Sequence, residues 1–252
     1  MTALAGHALI TGGGTGIGAA IARTLAAAGA RVTLVGRRRE PLVSVAQEIG
    51  AAVAVADVTD PAQVAAAFTA ARTANGAVTI LINNAGGTST SPFGRATFAD
   101  WRAVMAVNLD ALFHACQAAL PDLRAAAAGR IVTIASTAGV RGYPYVAAYV
   151  AAKHGAIGLT RALAAELAGT PVTVNAVCPG FTDTDLVAAS VATIAAKAGR
   201  DEASARASLA AFNPQGRLID PQEVADTVLW LCLPASRSIT GQSIAVAGGE
   251  VT

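Results

Sequence analysis

Short apolar runs alternate with longer alanine-rich stretches along most of the chain. Several runs are continuously apolar, which is typical of parallel strands covered on both faces. Strands are predicted at 8–11, 31–35, 52–56, 79–83, 130–136, 172–177 and 243–247, and helices at 16–28, 40–49, 61–74, 100–127, 149–168 and 221–233. This order predicts an α/β fold, a doubly wound parallel sheet with helices on both faces that binds its ligand at the carboxyl ends of the strands.

One segment, residues 182–217, departs from this alternation because it contains no strand pattern. Helical patterns near 184–197 and 201–212 predict a helical flap, and flaps beside the ligand edge of a sheet often act as lids. No linker or repeat divides the remaining sequence. We therefore expect residues 1–252 to form one domain with a substrate flap.

Composition narrows the class of protein. Hydrophobic residues make up 54% of the 252 residues and charged residues 13%, which excludes a disordered chain and fits a large buried sheet. The N-terminal segment lacks the basic and apolar regions of a secretory signal, and no unbroken apolar run has the length of a membrane span. We expect a soluble cytoplasmic protein without a membrane partner.

Charge and cysteine content argue against two further classes. The net charge of +2 is small, and the basic cluster "GRRRE" at 36–40 is too narrow for a nucleic-acid surface. Cys116, Cys178 and Cys232 are scattered, with no spacing that suits a metal site or a disulfide framework. We expect no nucleic-acid partner, no metal and reduced cysteines.

The first strand runs directly into "TGGGTGIG" at 11–18, which is followed by a helix. Glycines allow a tight turn and a close approach to a pyrophosphate, whose charge lies at the positive end of the helix. Because the motif follows a strand and opens a helix, it predicts a dinucleotide site rather than a simple tight turn.

Tyr149 and Lys153 stand four residues apart in the predicted helix "AYVAAKHG". Side chains at this spacing share one helical face. An exposed tyrosine beside a solvated lysine would have the same spacing. Alternatively, Lys153 lowers the phenol pKa from its usual value of about 10, so that Tyr149 exchanges protons near neutral pH. The pair alone leaves both interpretations open.

The glycine spacing, with Gly12, Gly16 and Gly18 in a TGxxxGxG pattern, resembles that of the short-chain dehydrogenase/reductase family, and further motifs match in order along the whole chain. These are "DVTD" 57–60, "NNAG" 83–86, Asn108 in "VNLDALF", Ser136 at the end of the fifth strand, Tyr149 with Lys153, and "NAVCPGFTDT" 175–184. The resemblance implies a Rossmann-like fold and ketone–alcohol chemistry with a nicotinamide cofactor.

The same resemblance implies a role for each matching residue. Tyr149 is the general acid or base, Lys153 lowers its pKa and contacts the nicotinamide ribose, Ser136 binds the carbonyl oxygen, and Asn108 holds a relay water. Alternatively, Ser136 caps a strand end and Asn108 satisfies backbone groups. The implied cofactor contacts are Gly12, Thr15, Gly16, Ile17, Gly18, Arg37, Asp57, Val58, Asn84, Ala85, Gly86, Tyr149, Lys153, Pro179, Gly180, Thr182 and Thr184.

The end of the second strand bears on the choice of cofactor. A carboxylate there would favour NAD, but the position holds Gly36, followed by Arg37, which leaves room for a 2′-phosphate and offers a planar donor. We expect NADP(H). NAD(H) stays possible because Thr15 occupies the second position where the family carries a basic residue.

The substrate is less well defined than the reaction. The chain resembles 3-oxoacyl reductases and polyketide-type ketoreductases, yet the ends of its two long helices carry little charge for a carrier protein to dock on. The loop "TAGVRGYPYVAA" at 137–148 predicts an apolar pocket wall with Tyr143 and Tyr145, and Arg141 as an anchor for an anionic group; subunit packing or solvation would explain them equally. We expect a hydrophobic or β-keto(acyl) substrate, free or CoA-linked.

Three further expectations concern assembly and rival functions. The helices at 100–127 and 149–168 resemble the family's subunit interface, which implies a homotetramer. An NAD-dependent secondary alcohol dehydrogenase with an aryl or hydroxyacyl substrate is the alternative enzyme. A catalytically silent nucleotide-binding regulator is the non-enzyme alternative, although such proteins typically lose the tyrosine or lysine that is present here.

Overall fold

Seven parallel strands form one sheet in the order β3-β2-β1-β4-β5-β6-β7. The computed structural model describes residues 4–199 and 201–251. The strand order reverses between β1 and β4, and in doubly wound sheets the ligand crevice opens at such a reversal. The strands are β1 His7–Thr11, β2 Arg31–Gly36, β3 Ala52–Val55, β4 Ile80–Asn83, β5 Gly129–Ile134, β6 Val172–Pro179 and β7 Ser243–Val246.

Helices follow the strands on both faces, which confirms the predicted fold class. They are α1 Gly16–Ala27, α2 Arg39–Ile49, α3 Pro61–Asn75, α4 Phe98–Met105, α5 Ala111–Ala125, α6 Ala147–Glu166, α7 Asp185–Ala198, α8 Glu202–Ala210 and α9 Pro221–Cys232. The predicted single helix at 100–127 is instead α4 and α5 joined by a π-helical turn, Ala106–Asp110. A π-turn keeps the helical apolar pattern, so the interruption cannot be seen in the pattern of apolar residues.

The apolar residues divide into one cluster on each face of the sheet. Ile10 and Leu34 pack with residues of α1, α2 and α9 on one face. Leu9 and Leu81 pack with residues of α3, α5 and α6 on the other. Since neighbouring positions of a strand point to opposite faces, continuously apolar strands are needed to fill both clusters.

The segment Phe98–Ala125 is long and apolar enough to cross a membrane by length and composition. In this fold it covers the sheet instead. Ala115 and Leu123 of α5 are buried in the same cluster as Leu81 of β4 and Ile131 of β5. Packing against the sheet therefore accounts for part of the hydropathy of this segment, since 39% of its most apolar window is buried within the chain.

The predicted flap consists of α7 and α8, which share an apolar cluster of their own. Val187 and Val191 of α7 are buried with Leu209 of α8 and Leu218. A parallel bridge between Thr182 and Ile219 joins the two ends of the flap. The structure thus confirms a helical insertion with its own packing, placed after the carboxyl end of β6.

Candidate active site

The glycine loop lies at the carboxyl end of β1, and its backbone conformation requires glycine at two positions. Gly12 has φ +66° and Gly16 has φ +52°, both in the left-handed region. A Cβ on Gly12 would lie 2.9 Å from Nδ2 of Asn84. That amide donates to the carbonyl oxygens of Thr11 at 3.1 Å and Gly12 at 3.0 Å. Asn84 therefore holds the loop in shape from the end of β4.

The first turn of α1 follows this loop with its amide groups uncapped. Thr15 occupies the N-cap position, and its side chain makes no capping hydrogen bond. Ile17 packs against the apolar cluster, and Gly18 lies so close to the Gly12 carbonyl that a side chain would not fit. A free helix N-terminus beside a glycine turn fits a pyrophosphate group.

The end of β2 leaves room for a group larger than a ribose hydroxyl. A Cβ on Gly36 would meet only Leu42, at the ordinary contact distance of 3.5 Å. The Arg37 side chain is 75% exposed, and its Nη1 lies 4.0 Å from Oδ2 of Asp57. Asp57 accepts hydrogen bonds from the amide and hydroxyl of Thr59, which hold its carboxyl pKa below the usual value. Arg37 is thus available to an anionic ligand beside an ionised carboxylate.

Ser136, Tyr149 and Lys153 converge at the carboxyl end of β5. Ser136 follows the strand, and its hydroxyl accepts a hydrogen bond from the amide of Ala138 at 3.1 Å. Lys153 is buried, donates to the carbonyl oxygen of Ile134 at 2.9 Å, and lies 5.6 Å from the centre of the Tyr149 ring. The two residues share one face of α6, as their spacing predicts.

Burial governs the protonation of this pair. Desolvation lowers the Lys153 pKa to about 8. Desolvation also raises the Tyr149 pKa, and a hydrogen bond with Ser136 opposes this change. The pKa of Tyr149 is therefore raised, whereas the sequence led us to expect that Lys153 would lower it. Loss of hydration destabilises the phenolate more than the hydrogen bond with Ser136 stabilises it.

Asn108 lies in the π-helical turn and is engaged with the chain itself. Its Nδ2 donates to the carbonyl oxygens of Gly87 at 2.7 Å and Val104 at 2.9 Å, and its Oδ1 accepts from the Gly87 amide at 3.3 Å. A Cβ on Gly86 would lie 2.8 Å from Oδ1 of Asn108 and 3.6 Å from Nζ of Lys153. Asn108 thus satisfies backbone groups beside Lys153, which is the alternative role considered for it.

A small internal chamber lies behind Lys153. Its volume of about 10 Å³ is close to the minimum for one water molecule. The hydroxyl of Thr133, one of its lining residues, is buried without a hydrogen-bond partner among the described residues. Other lining residues include Thr11, Val58, Asn83, Ala85, Asn108 and Lys153. The chamber therefore offers polar partners for a single water next to the lysine.

The segment after β6 approaches the glycine loop. Pro179 ends the strand, and the amide of Gly180 donates to the carbonyl of Val246 at 3.1 Å. Thr182 is buried and donates to the Gly180 carbonyl oxygen at 3.0 Å. The methyl group of Thr184 would lie 3.0 Å from a Cβ on Gly16. Both threonines are predicted cofactor contacts. Thr184 borders the glycine loop, whereas the Thr182 hydroxyl bonds to the backbone of its own segment.

The loop between Ser136 and Tyr149 contains the predicted substrate residues, and the structure gives them different surroundings. Arg141 donates to the main-chain oxygen of Glu250 at 3.2 Å and lies over the Tyr143 ring at 5.0 Å. The Tyr143 hydroxyl bonds to Thr137 and to the Glu250 carboxylate. Tyr145 is 61% exposed, with φ +68°. The predicted anchor Arg141 is therefore occupied by internal contacts.

Glu250 also belongs to this region, although no sequence motif singles it out. It is buried and follows the two glycines after β7. It could have been recognised as the one acidic residue in the apolar and glycine-rich segment "SIAVAGGEVT".

Comparison with known proteins agrees with this geometry. A family model described as short chain dehydrogenase matches residues 6–195. The galactitol 2-dehydrogenase (L-tagatose-forming) of Cereibacter sphaeroides is 40% identical over 247 residues, covering 96% of this chain and 93% of that protein. The 3-oxoacyl-acyl-carrier-protein reductase FabG of Escherichia coli (strain K12) is 36% identical over 244 residues, covering 96% of both chains.

A solved structure is similar over nearly the whole fold. It is a single-residue variant of actinorhodin polyketide ketoreductase with NADPH, which superposes with a TM-score of 0.94 at 34% identity and covers 98% of this chain and 97% of that one. Together with the glycine loop and the Ser136, Tyr149 and Lys153 arrangement, these matches show that the chain belongs to the short chain dehydrogenase family and is an oxidoreductase that uses a nicotinamide cofactor.

Proposed function

We propose that this protein reduces a ketone to a secondary alcohol with NADPH. The observation that carries the proposal is the convergence of Ser136, Tyr149 and Lys153 at the carboxyl end of β5, with only β4 between it and the strand that leads into the glycine loop. Two relatives, named as a 3-oxoacyl reductase and a polyketide ketoreductase, support the reductive direction. Oxidation of NADPH at 340 nm with a panel of ketones tests it, and a panel without turnover would contradict it.

The residues of the site supply binding and proton transfer, while the nicotinamide cofactor supplies the hydride. The hydroxyls of Ser136 and Tyr149 bind the carbonyl oxygen of the substrate. The Tyr149 phenol then gives its proton to that oxygen as the alcohol forms. Lys153 stabilises the resulting phenolate by its charge. A water in the chamber beside Lys153 then restores the proton of the Tyr149 phenol. Asn108 forms part of the chamber wall and is held in place by its bonds to backbone groups.

The proposed preference for NADP(H) rests on the end of β2. Arg37 is exposed, and Gly36 leaves the space beside it open. The guanidinium is suited to a 2′-phosphate because it offers a planar pair of donors. The remaining glycine-loop residues and the segment from Pro179 to Thr184 would hold the pyrophosphate and nicotinamide. Fluorescence titration with NADPH and NADH at equal salt measures the preference directly.

A second candidate function is NAD-dependent oxidation of a secondary alcohol. The ionised Asp57 close to Arg37 favours it, because a carboxylate there offsets part of the positive charge that a phosphate would need. The galactitol 2-dehydrogenase relative is named for an alcohol oxidation. Tighter binding of NADH than NADPH, with turnover of secondary alcohols by NAD, would favour this candidate. A catalytically silent nucleotide-binding regulator would bind a cofactor but show no turnover in either direction.

We further propose that the protein assembles as a homotetramer through α5 and α6. These helices border an open groove of about 590 Å³, lined in part by exposed apolar surface. The lining includes Leu109, Phe113, Gly155, Gly158, Leu159 and Ala162. Small residues on α6 would let a second copy approach closely. Light scattering tests this assembly, and a monomeric mass would contradict it.

The chain is also proposed to act as one domain in the cytoplasm on a small-molecule substrate. The flap supports the single domain because its two ends meet at the Thr182–Ile219 bridge. Cell fractionation of the tagged protein tests the location.

A further inference from the structure

Glu250 carries a buried carboxylate that the proposed chemistry does not use. Only 9% of the residue is exposed. One oxygen, Oε1, accepts the Tyr143 hydroxyl, while Oε2 is buried with no hydrogen-bond partner in the described part of the chain. Burial raises the pKa of this carboxyl. An acceptor that has lost its water and gained no donor destabilises the structure until a donor reaches it.

The hydrogen-bond pattern fixes which oxygen is free. The Tyr143 hydroxyl has a single proton, and a carboxylate can only accept. Tyr143 therefore donates to Glu250 and accepts from the Thr137 hydroxyl, 2.8 Å away. This chain of bonds fixes the Glu250 side chain and leaves Oε2 without a donor.

The position of Glu250 relates it to the reaction site. Thr137, at one end of the hydrogen-bond chain, directly follows Ser136. On the other side, Oε2 lies 2.8 Å from where a Cβ on Gly180 would be. Glu250 therefore lies between the Ser136 turn and the Gly180 segment, the two parts of the chain that border the carbonyl and nicotinamide in the proposed function.

Arg141 offsets part of the effect of burial on the Glu250 carboxyl pKa, but it makes no hydrogen bond to the free oxygen. Arg141 directs its Nη1 to the main-chain oxygen of Glu250 and not to the carboxylate. The Tyr143 ring packs against Phe181 and Phe212, with centroid distances of 6.3 and 5.9 Å. A ligand at this place would meet aromatic contacts for its carbon chain and one acceptor for a polar group.

We propose that Oε2 of Glu250 accepts a hydrogen bond from a hydroxyl group of the substrate, so that the preferred substrates are hydroxyketones and the matching diols. This inference rests on the proposed function and narrows its substrate from a purely hydrophobic ketone to one with a second oxygen. Phe212, which packs against the Tyr143 ring, is 41% exposed, so the substrate would approach from that side. A site built to bind a substrate hydroxyl discriminates against the analogue without it, because the acceptor is then left unpaired.

A matched pair of ketones tests the proposal. 4-Hydroxybutan-2-one and pentan-2-one differ by a hydroxyl in place of a methyl group. With NADPH, the protein is expected to show a kcat/KM at least tenfold higher for the hydroxyketone. Glu250→Leu should abolish this preference, mainly by raising KM for the hydroxyketone, while kcat/KM for pentan-2-one stays the same or rises. Equal kcat/KM values for the two ketones with the unchanged protein would overturn the proposal.

Tyr143→Phe is the control for a purely structural role of Glu250. It removes the hydrogen bond that fixes the Glu250 side chain but keeps the carboxylate, so part of the hydroxyl preference should persist. Loss of the preference in Tyr143→Phe to the same extent as in Glu250→Leu would show that loop order, and not the carboxylate, determines it. Glu250→Gln keeps an acceptor oxygen and should retain part of the preference.

A binding measurement separates failure of this inference from failure of the proposed function. The NADPH complex cannot oxidise an alcohol, so butane-1,3-diol and pentan-2-ol act as ligands without turnover, and NMR titration gives their dissociation constants. Tighter binding of the diol that disappears in Glu250→Leu would support the subsite even if no ketone were reduced. Equal binding of both alcohols would reject the subsite even if ketone reduction were observed.

Discussion

Nζ of Lys153 lies 5.6 Å from the centre of the Tyr149 ring and donates to the carbonyl oxygen of Ile134. Burial shifts the pKa of the two groups in opposite directions, downward for the ammonium and upward for the phenol. At neutral pH without ligand, Tyr149 therefore keeps its proton. A protonated phenol is the form that a ketone reductase needs at the start of its reaction.

Tyr149→Phe should lower kcat for ketone reduction by a factor of roughly 100 to 10,000, because it removes the proton donor. NADPH binding should stay within a few fold of the unchanged protein. Tyr145→Phe is the matched control, since Tyr145 is exposed in the loop just before α6 and should keep full activity. Substantial ketone reduction by Tyr149→Phe would assign the proton transfer to another residue.

Lys153→Met should stabilise the fold at pH 7 and lower activity. The Lys153 pKa of about 8 lies below its usual value of 10.5, and the difference corresponds to about 3 kcal/mol at most. Because the folded chain binds this proton less tightly, the stability of the unchanged protein should rise between pH 8 and 10.5. We expect the variant to gain about 1 to 3 kcal/mol in urea unfolding at pH 7. This gain should shrink towards pH 10.5; a constant gain would exclude the lysine charge as its cause.

Gly36→Asp should shift the cofactor preference towards NADH. The position accepts a side chain, since its Cβ would make only an ordinary contact with Leu42. The new carboxylate would repel a 2′-phosphate, so we expect NADPH binding to weaken at least tenfold, or about 1.4 kcal/mol. Arg37→Ala should also weaken NADPH binding but leave NADH unchanged. Arg38→Ala serves as the control; an equal loss there would indicate general charge attraction instead of a specific phosphate contact.

His7 should make the fold sensitive to mild acid. It is fully buried, with Nδ1 2.8 Å from the Gly76 carbonyl oxygen and Nε2 2.9 Å from the Thr33 hydroxyl. Burial lowers its pKa below 6.5, so the unfolded chain takes up a proton more readily and stability falls as pH drops below about 6.5. Unfolding curves between pH 7.5 and 5 for His7→Asn should be flatter than those of the unchanged protein. His154→Asn, at an exposed position, should keep the original pH dependence.

The order and type of the strands could be predicted from sequence because continuously apolar runs such as "TILIN" have few alternatives in a chain with this spacing of helices. The glycine loop and the Tyr149–Lys153 pair were also predictable, since each depends on residues close together in the chain. The flap was recognised from the lack of a strand pattern.

Two features depended on information that local sequence does not contain. The direction of the Tyr149 pKa shift follows from how far the fold removes water from the phenol, which no motif specifies. The contact between Tyr143 and Glu250 joins positions 107 residues apart, and Arg141 meets Glu250 across a similar separation. The sequence-based prediction of Arg141 as a substrate anchor did not include its contact with Glu250.

The flap has an apolar cluster separate from the two that stabilise the sheet. The packing of the flap is therefore largely independent of the packing of the sheet. Residues of α7 and α8 can change in size or polarity without disturbing the packing that positions Tyr149 and Lys153. In such an architecture, substrate range can diverge quickly among descendants while the hydride-transfer machinery is inherited unchanged.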